Sequence, residues 1–380
     1  MCVRDGCGRP RNRLGAVLEV RKPADRPEAD ADSRPLPPEG AVTATIRDVA
    51  RRAGVSPITA SRAFSGTHPV AQETRRRVFA AAEELGYVPD LLARGLVHRR
   101  SPMIGMVVLE LANPFVSPII DGAQAVAFER GHLLVVSQSL RQRETEEASL
   151  SRFRQMRVAG VLVAPVSPDL RHLEELREQG VPVVAFSRQW ANGDYVTVDD
   201  REGGRIAGEH LVSLGHREIG FVALGEPGNT AVEARLEGLL EALERGGAVC
   251  RPEWRLFTQR QTPEEGVAAA EAFVRLAHRP TAMFVTADRV AIGFVHQLRT
   301  LGLRVPEDVA VVGYDDIHYS QFLEVPLTTV ALPKYELGRQ AAEILFRRIG
   351  AAQPGGAPQQ VLLPPRLVVR RSCGAGVDGG

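Results

Sequence analysis

Residues able to make or break covalent bonds occur throughout the 380-residue chain, but not in the spacings that catalysis needs. There is no G-x-S-x-G elbow, no phosphate-loop lysine motif and no H-E-x-x-H pair. Gly225–Asn229 (GEPGN) reads as a turn rather than a dinucleotide fingerprint. Cys2, Cys7, Cys250 and Cys373 give neither a metal spacing nor a disulfide framework, so no enzyme activity, metal or cofactor is expected. What is concentrated is guanidinium. Between Thr45 and Ser101 ten arginines stand against five acids, whereas the residues after Ser101 carry twenty-nine basic and thirty-four acidic side chains. A short basic segment on an acidic body has the chemistry of a polyanion-binding head. Within it, Ile58 and Arg62 lie four residues apart and share a helix face, while Val55, Ala60 and Ala63 suit a small core. An isoleucine facing water is either an ordinary surface residue or half of a contact with something else.

The elements that would carry these residues are short helices. Thr45 caps the first, with Asp48 at N3 as a shortened capping box, and Gly54 ends it. Ser56 caps the second, with Pro57 at N1, where its missing N–H costs nothing. A third is expected from about Gln72 to Leu85, with Val78, Phe79, Ala82 and Leu85 inward and Gly86 as its stop. Three helices with a tight Gly-containing turn make a helix-turn-helix module. Asp90 is placed to cap a helix of barely two turns, Leu91 to Val97, which is marginal alone because nucleation is costly and Gly95 lowers propensity.

After Pro102 apolar strands alternate with helices. Strands are expected at Met103–Leu109, His132–Gln138, Ala159–Pro165, Val181–Ser187, Glu218–Leu224, Thr281–Thr286 and Val309–Asp315. Helices include Val116–Arg130, Asp169–Gln179, Gly204–Leu214, Val232–Arg245 and Arg289–Leu301. Continuous apolar strands between helices mean an α/β fold of doubly wound parallel sheets, and the length fits two sheets better than one. Ligands bind such sheets beyond the C-terminal ends of their strands.

TIRDVARRAGVSPITASRAF, ELGYVPDLLARGL, NPF, DDREGGRIAGEHLVSLGHREIGFV, RLEGLLEAL and GYDDIHYSQFLEVPLTTVALP occur in this order. Together they resemble bacterial transcription regulators of the lactose/galactose repressor (LacI/GalR) family, over about residues 45 to 373. The resemblance implies a helix-turn-helix head (44–88), a hinge helix (89–101) and a core like periplasmic sugar-binding proteins (102–373), built of two interleaved subdomains. It also implies operator DNA as partner, a homodimer, and a small metabolite, a sugar or sugar acid, bound between the two core lobes. Carried over residue by residue, Pro57, Ile58 and Arg62 reach base edges, Arg62 by bidentate donation to guanine and Ile58 by packing on a thymine methyl. Thr45, Ser56, Thr59, Ser61 and Ser65 belong to the same DNA-binding surface, several of them on phosphates, which position the head without reading sequence. Leu96 matches a leucine that relatives insert into the minor groove, and Ala93 the small residue beside it. Asp90 and Gly95 depart from the usual asparagine and better helix former.

For the effector cleft the carry-overs are Asn113, Phe115, Ser187, Arg188, Asn229, Thr230, Arg235, Gln261 and Asp288, with Asp199 or Asp200 near a crossover. Ser187 and Gln261 stand where relatives often have an acid and an aromatic. Asp199, Asp200 and Asp288 also read as helix N-caps. Residues 1–43, rich in Arg, Pro, Asp and Glu, are expected to be disordered, and 374–380 (GAGVDGG) form a tail without leucine heptads. No apolar run of 18 residues or secretory h-region is present, so the cytoplasm is the expected location. Two other classes share an α/β core: a sugar-binding transport protein, which would need a signal peptide and no head, and a metabolic enzyme, which would need a catalytic constellation at its strand ends.

Overall fold

A computed structural model describes residues 44–65, 69–88, 101–225, 228–350 and 356–375. They fall into two compact units, divided at Pro89/Asp90. The first holds α1 (Ile46–Ala53), α2 (Pro57–Ser65) and α3 (Gln72–Glu84). Thr45 and Asp48 form a reciprocal capping box at the start of α1, and Gly54 closes it in the left-handed conformation at φ 66°. Val49, Ala50, Ala53, Ala60, Ala63, Val78, Ala81 and Ala82 make the core. With so many alanines in it the helices can approach closely, and few large side chains are needed. Phe79 and Leu85, expected inside, are partly exposed, and Ala81 takes the inward place. Phe79 is one position round the helix from Val78, so it lies on the rim of the apolar face, tilted 5.0 Å from Phe64 with Arg75 over its ring.

The second unit has two lobes, each built on a six-stranded sheet. One sheet comes from β1 (Met103–Val108), β2 (Leu133–Gln138), β3 (Val161–Val163), β4 (Val183–Phe186), β5 (Asp194–Val198) and β11 (Gln360–Leu363), in the order β11-β5-β4-β3-β1-β2. The other comes from β6 (Ile219–Leu224), β7 (Arg255–Thr258), β8 (Ala282–Val285), β9 (Ala310–Asp315), β10 (Thr328–Ala331) and β12 (Arg366–Val368), in the order β12-β10-β9-β8-β6-β7. Among the described strands only the β10–β12 pair is antiparallel. The chain therefore crosses between lobes three times: after β5, after β10, and between β11 and β12. Strands buried on both faces, such as IGFVAL of β6, need helices on both sides of the sheet.

Those helices are α4 (Ser117–Glu129), α5 (Arg143–Gln155), α6 (Arg171–Glu178), α7 (Asp200–Ser213), α8 (Thr230–Arg245), α9 (Pro263–Val274), α10 (Asp288–Thr300) and α11 (Lys334–Gly350). Three pairs cross on glycine. Gly122 and Gly338 join α4 to α11, Gly204 and Gly238 join α7 to α8, and Gly266 and Gly293 join α9 to α10. A Cβ at any of the six would sit 1.8–2.0 Å from a carbonyl oxygen of the facing helix. No helix among the described residues is long and apolar enough to cross a membrane.

Gly204→Ala must push α7 and α8 apart, because the obstructing atom is the backbone oxygen of Arg235. It is expected to destabilise the core by about 1–3 kcal/mol, the usual range for overpacking. Urea unfolding of the full chain measures this.

Candidate functional site

On the head, the start of α2 is fixed by Ser56, whose hydroxyl accepts the Thr59 N–H at 3.1 Å and lies 2.9 Å from the Thr59 hydroxyl. Thr45 is likewise engaged, its hydroxyl donating to the Asp48 carboxylate at 2.6 Å. Ala60 and Ala63 turn inward, which leaves Pro57, Ile58, Ser61 and Arg62 exposed, Ile58 to 65%. Ile58 and Arg62 share a face of α2, and Arg47, Arg51, Arg52, Arg75, Arg76 and Arg77 are exposed elsewhere on the unit. Ala93, Leu96 and the side chain of Ser65 lie outside the described residues.

In the second unit a cavity of about 140 Å³ opens between the two lobes, at the C-terminal ends of their strands. The first lobe lines it with Glu110, Asn113 and Phe115 after β1, Arg141 after β2, Val166 after β3, and Phe186, Ser187 and Arg188 at the end of β4. The second contributes Asn229 just before α8, Thr230 at its first position, Arg235 within it, Gln261 after β7 and Asp315 at the end of β9.

Arg235 is the anchor. Its Nε donates to Asp200 Oδ1 at 2.8 Å, its Nη1 to the Thr286 carbonyl at 2.9 Å, and its guanidinium stacks 3.8 Å over the Tyr314 ring. The Tyr314 hydroxyl donates to the same Asp200 oxygen at 2.9 Å. Burial works against the guanidinium charge, but Asp200, Tyr314 and Asp315 outweigh it and hold the group firmly protonated. Asp315 has φ 113°, a conformation that side-chain-bearing residues rarely adopt, and Lys334 Nζ donates to its carbonyl and, at 2.9 Å, to that of Asp316. Burial pushes the Asp315 carboxyl up to about 7, against the pull of Arg235. Ser187, at φ 59°, presents a buried hydroxyl with no hydrogen-bond partner.

Eight of the carried-over cleft residues thus meet in one cavity: Asn113, Phe115, Ser187, Arg188, Asn229, Thr230, Arg235 and Gln261. Two of these also have local duties, Asn113 accepting the Phe115 N–H at 3.1 Å and Asn229 capping α8. Asp199 caps α7 from outside the cavity lining, and Asp200 acts through Arg235.

Asp288 requires a correction: it does not line the cavity. It is completely buried, accepting the Ile317 N–H at 3.0 Å and the hydroxyls of Ser320 and Thr329 at 2.6 and 2.7 Å. Its carboxylate ties the start of α10 to the β9–β10 connection. A carboxylate that does line the cavity beside Arg235 is Asp315, which sequence reasoning passed over although it ends an apolar strand inside the GYDD motif. Glu110 and Arg141 were passed over too, although each follows an expected strand, because neither lies in one of the matched motifs.

Comparison with known proteins shows the family. Residues 45–90 match the model of bacterial regulatory proteins of the lacI family, and residues 209–373 match a periplasmic binding protein-like domain. The HTH-type transcriptional repressor PurR of Yersinia pestis bv. Antiqua (strain Antiqua) is 35% identical over 339 residues, covering 88% of this chain and 98% of that protein. The chain belongs to the lacI family of bacterial regulatory proteins. It is a DNA-binding transcriptional repressor with an effector-binding core, and not an enzyme. Two solved structures of lacI-family relatives extend the likeness to the fold. The transcriptional regulator CelR in complex with cellobiose is 33% identical, with a TM-score of 0.66 over 87% of this chain and 99% of that one. The lac repressor dimer bound to operator and the anti-inducer ONPF is 28% identical, with a TM-score of 0.74 over 87% and 98%.

Burial raises the Asp288 carboxyl to about 6 in the folded chain. A carboxyl whose pKa is higher folded than unfolded stabilises the fold below about pH 4, and that contribution is lost as pH rises to about 6. Asp288→Asn, which keeps the shape but has one accepting oxygen in place of two and does not titrate, is expected to remove this slope. Urea midpoints between pH 4 and 7 for both proteins measure it.

Proposed function

We propose that this repressor binds a near-palindromic operator as a cytoplasmic homodimer, reading it through α2 and releasing or gripping it according to a polyhydroxylated small molecule held in the inter-lobe cavity. The division of labour follows the chain: head 44–88, hinge 89–101, effector-binding and dimerisation core 102–373, with extensions 1–43 and 374–380. The observation that carries the reading is the surface of α2. Ile58 and Arg62 stand side by side and exposed, a methyl-packing group and a bidentate donor at the spacing of one helical turn. Thr45, Ser56, Thr59, Ser61 and Ser65 supply or support phosphate contacts around them. Ala93 and Leu96 are assigned to the minor groove on the sequence match alone.

For the effector, paired donors and acceptors converge with one aromatic face. Arg235, Arg188, Asn113 and Asn229 suit hydroxyls or a carboxylate, Asp315 accepts from a hydroxyl, and Phe115 covers an apolar ring face. A relative that holds cellobiose in a fold of this kind supports a sugar or sugar acid. The effector would act through unequal affinity for two states of the core, biasing the hinge and so the pair of heads.

Arg62→Ala is expected to lower affinity for the operator by about ten- to a hundredfold while leaving non-specific binding nearly unchanged. Gel shifts with operator and scrambled duplex at one fixed salt concentration measure both. Equal loss on the two duplexes would mean that Arg62 contacts phosphate only. Asp315→Asn is expected to abolish the effector response while operator binding without effector persists. The same gel shift, titrated with the effector that genomic footprinting suggests, checks this.

A further inference from the structure

The two lobes are tied together at the cavity by side chains contributed from both. Glu110 follows β1 and Arg141 follows β2, so they emerge from neighbouring strands of the first lobe, and Arg141 Nε lies 3.4 Å from Glu110 Oε1. From the second lobe, Arg289 in the first turn of α10 reaches the other oxygen of Glu110 at 3.4 Å, and Gln261 accepts a hydrogen bond from Arg141 Nη2 at 3.1 Å. Glu110 is thus shared by one arginine from each lobe, and Arg141 by one acceptor from each. The three charged side chains are 18–31% exposed, shielded enough that solvent and salt screen them incompletely.

The backbone is arranged for this. Leu140 and Arg141 both adopt left-handed conformations, at φ 53° and 58°, which side-chain-bearing residues enter at a cost. The Leu140 N–H bonds the Leu109 carbonyl at 2.9 Å and the Leu111 N–H bonds Gln138 Oε1 at 3.1 Å, so the two loops that carry Glu110 and Arg141 are stitched together. Leu140 and Arg141 are the two central residues of a turn closed by the Gln142 N–H on the Ser139 carbonyl at 3.0 Å, which leads from β2 into α5. From this turn the Arg141 side chain reaches Gln261 of the other lobe.

We infer that Glu110, Arg141, Gln261 and Arg289 form a clasp that favours the closed core. They are positioning residues that set the open–closed balance, and Arg141 and Gln261 also face the ligand. The inference rests on the proposed effector cavity and adds its regulation. With closure already favoured, an effector has little closing left to drive. Its influence on the heads must come from replacing the Arg141–Gln261 bond, the one link in the clasp with a neutral acceptor and so the weakest to exchange. A ligand that offers Arg141 an oxygen of its own keeps the lobes closed, and one that only wedges them apart opens them.

The test uses the full chain with Cys2 and Cys7 replaced by serine, and spin labels on cysteines at exposed Glu175 in α6 and Glu271 in α9, one in each lobe. With labelled chain diluted into excess unlabelled chain, so that a dimer holds one labelled protomer, pulsed electron–electron distance measurement without DNA or effector is expected to give one dominant short distance. Glu110→Gln and Gln261→Ala should each add a longer population, shifting the closed–open balance by about tenfold. Glu110→Gln combined with Arg289→Gln should open the core no further than Glu110→Gln combined with Arg289 intact, since both break the same pair. Distance distributions of Glu110→Gln and Gln261→Ala that superimpose on the parent would overturn the clasp. Gln261→Ala changes no charge, so it still reads the closure if Glu110→Gln folds poorly. Operator gel shifts on the same proteins test the repressor reading separately, because the distances depend on neither DNA nor effector.

Discussion

The close approach of α7 and α8 is the constraint from which the cleft is built. Gly204 lies under the backbone of Arg235 and Gly238 under that of Arg201, with no room for a Cβ at either place. This brings the second turn of α8 against the first turn of α7, just where the chain has crossed from one sheet to the other. Asp200 opens α7 and Arg235 meets it from α8. The buried Tyr314 ring at the end of β9 then fills the space beneath the guanidinium. One buried ion pair with a stacked ring thereby joins the crossover, a helix pair and a central strand. A buried pair of this kind contributes little net stability, but removing either partner strands the other charge, which makes it a strong determinant of geometry.

Around that anchor the carboxylates divide their work by position. Asp288 has three donors and no contact with the cavity, so it fastens the β9–β10 connection to α10. Asp315 is held by its strained backbone and by Lys334 so that it faces the cavity, near Arg235. The strain sits where the chain meets its ligand, and the fastening behind it is what keeps it there. The clasp at the other side of the cavity follows the same pattern, with Leu140 and Arg141 out of the ordinary backbone regions and Glu110 receiving both lobes.

Much of this was legible from residues alone, for physical reasons that differ by element. The capping box at Thr45, the Pro57 start of α2 and the glycine stop of α1 are local chemistry, and the structure has them. Strands buried on both faces, such as β6 and β9, declared themselves as apolar runs. The runs missed β5, β7, β10, β11 and β12. Three of these are edge strands, with one face or end in water, and β5 and β10 carry Asp and Thr side chains that are satisfied by partners far along the chain, as Asp194 is by Arg348 and Thr329 by Asp288. The placement of Phe79 failed by one residue of helical phase. Asp288 and Asp315 could not be separated by sequence, because both follow an apolar strand and only the tertiary hydrogen bonds decide which one turns inward. The clasp had no local signature at all, since each member means something only beside a residue of the other lobe.

The head presents Ile58 and Arg62 on α2, and the core builds its cavity around Arg235. Function as a repressor turns on the head reading a particular DNA sequence. Repeated selection of random-sequence duplexes by the purified full chain, at one fixed salt concentration, tests this most directly. Enrichment of a single near-palindromic site, two half-sites related by a two-fold axis, is expected. A pool that binds more tightly only as salt is lowered, with no sequence enriched, would mark the arginines as a plain polycation and contradict it.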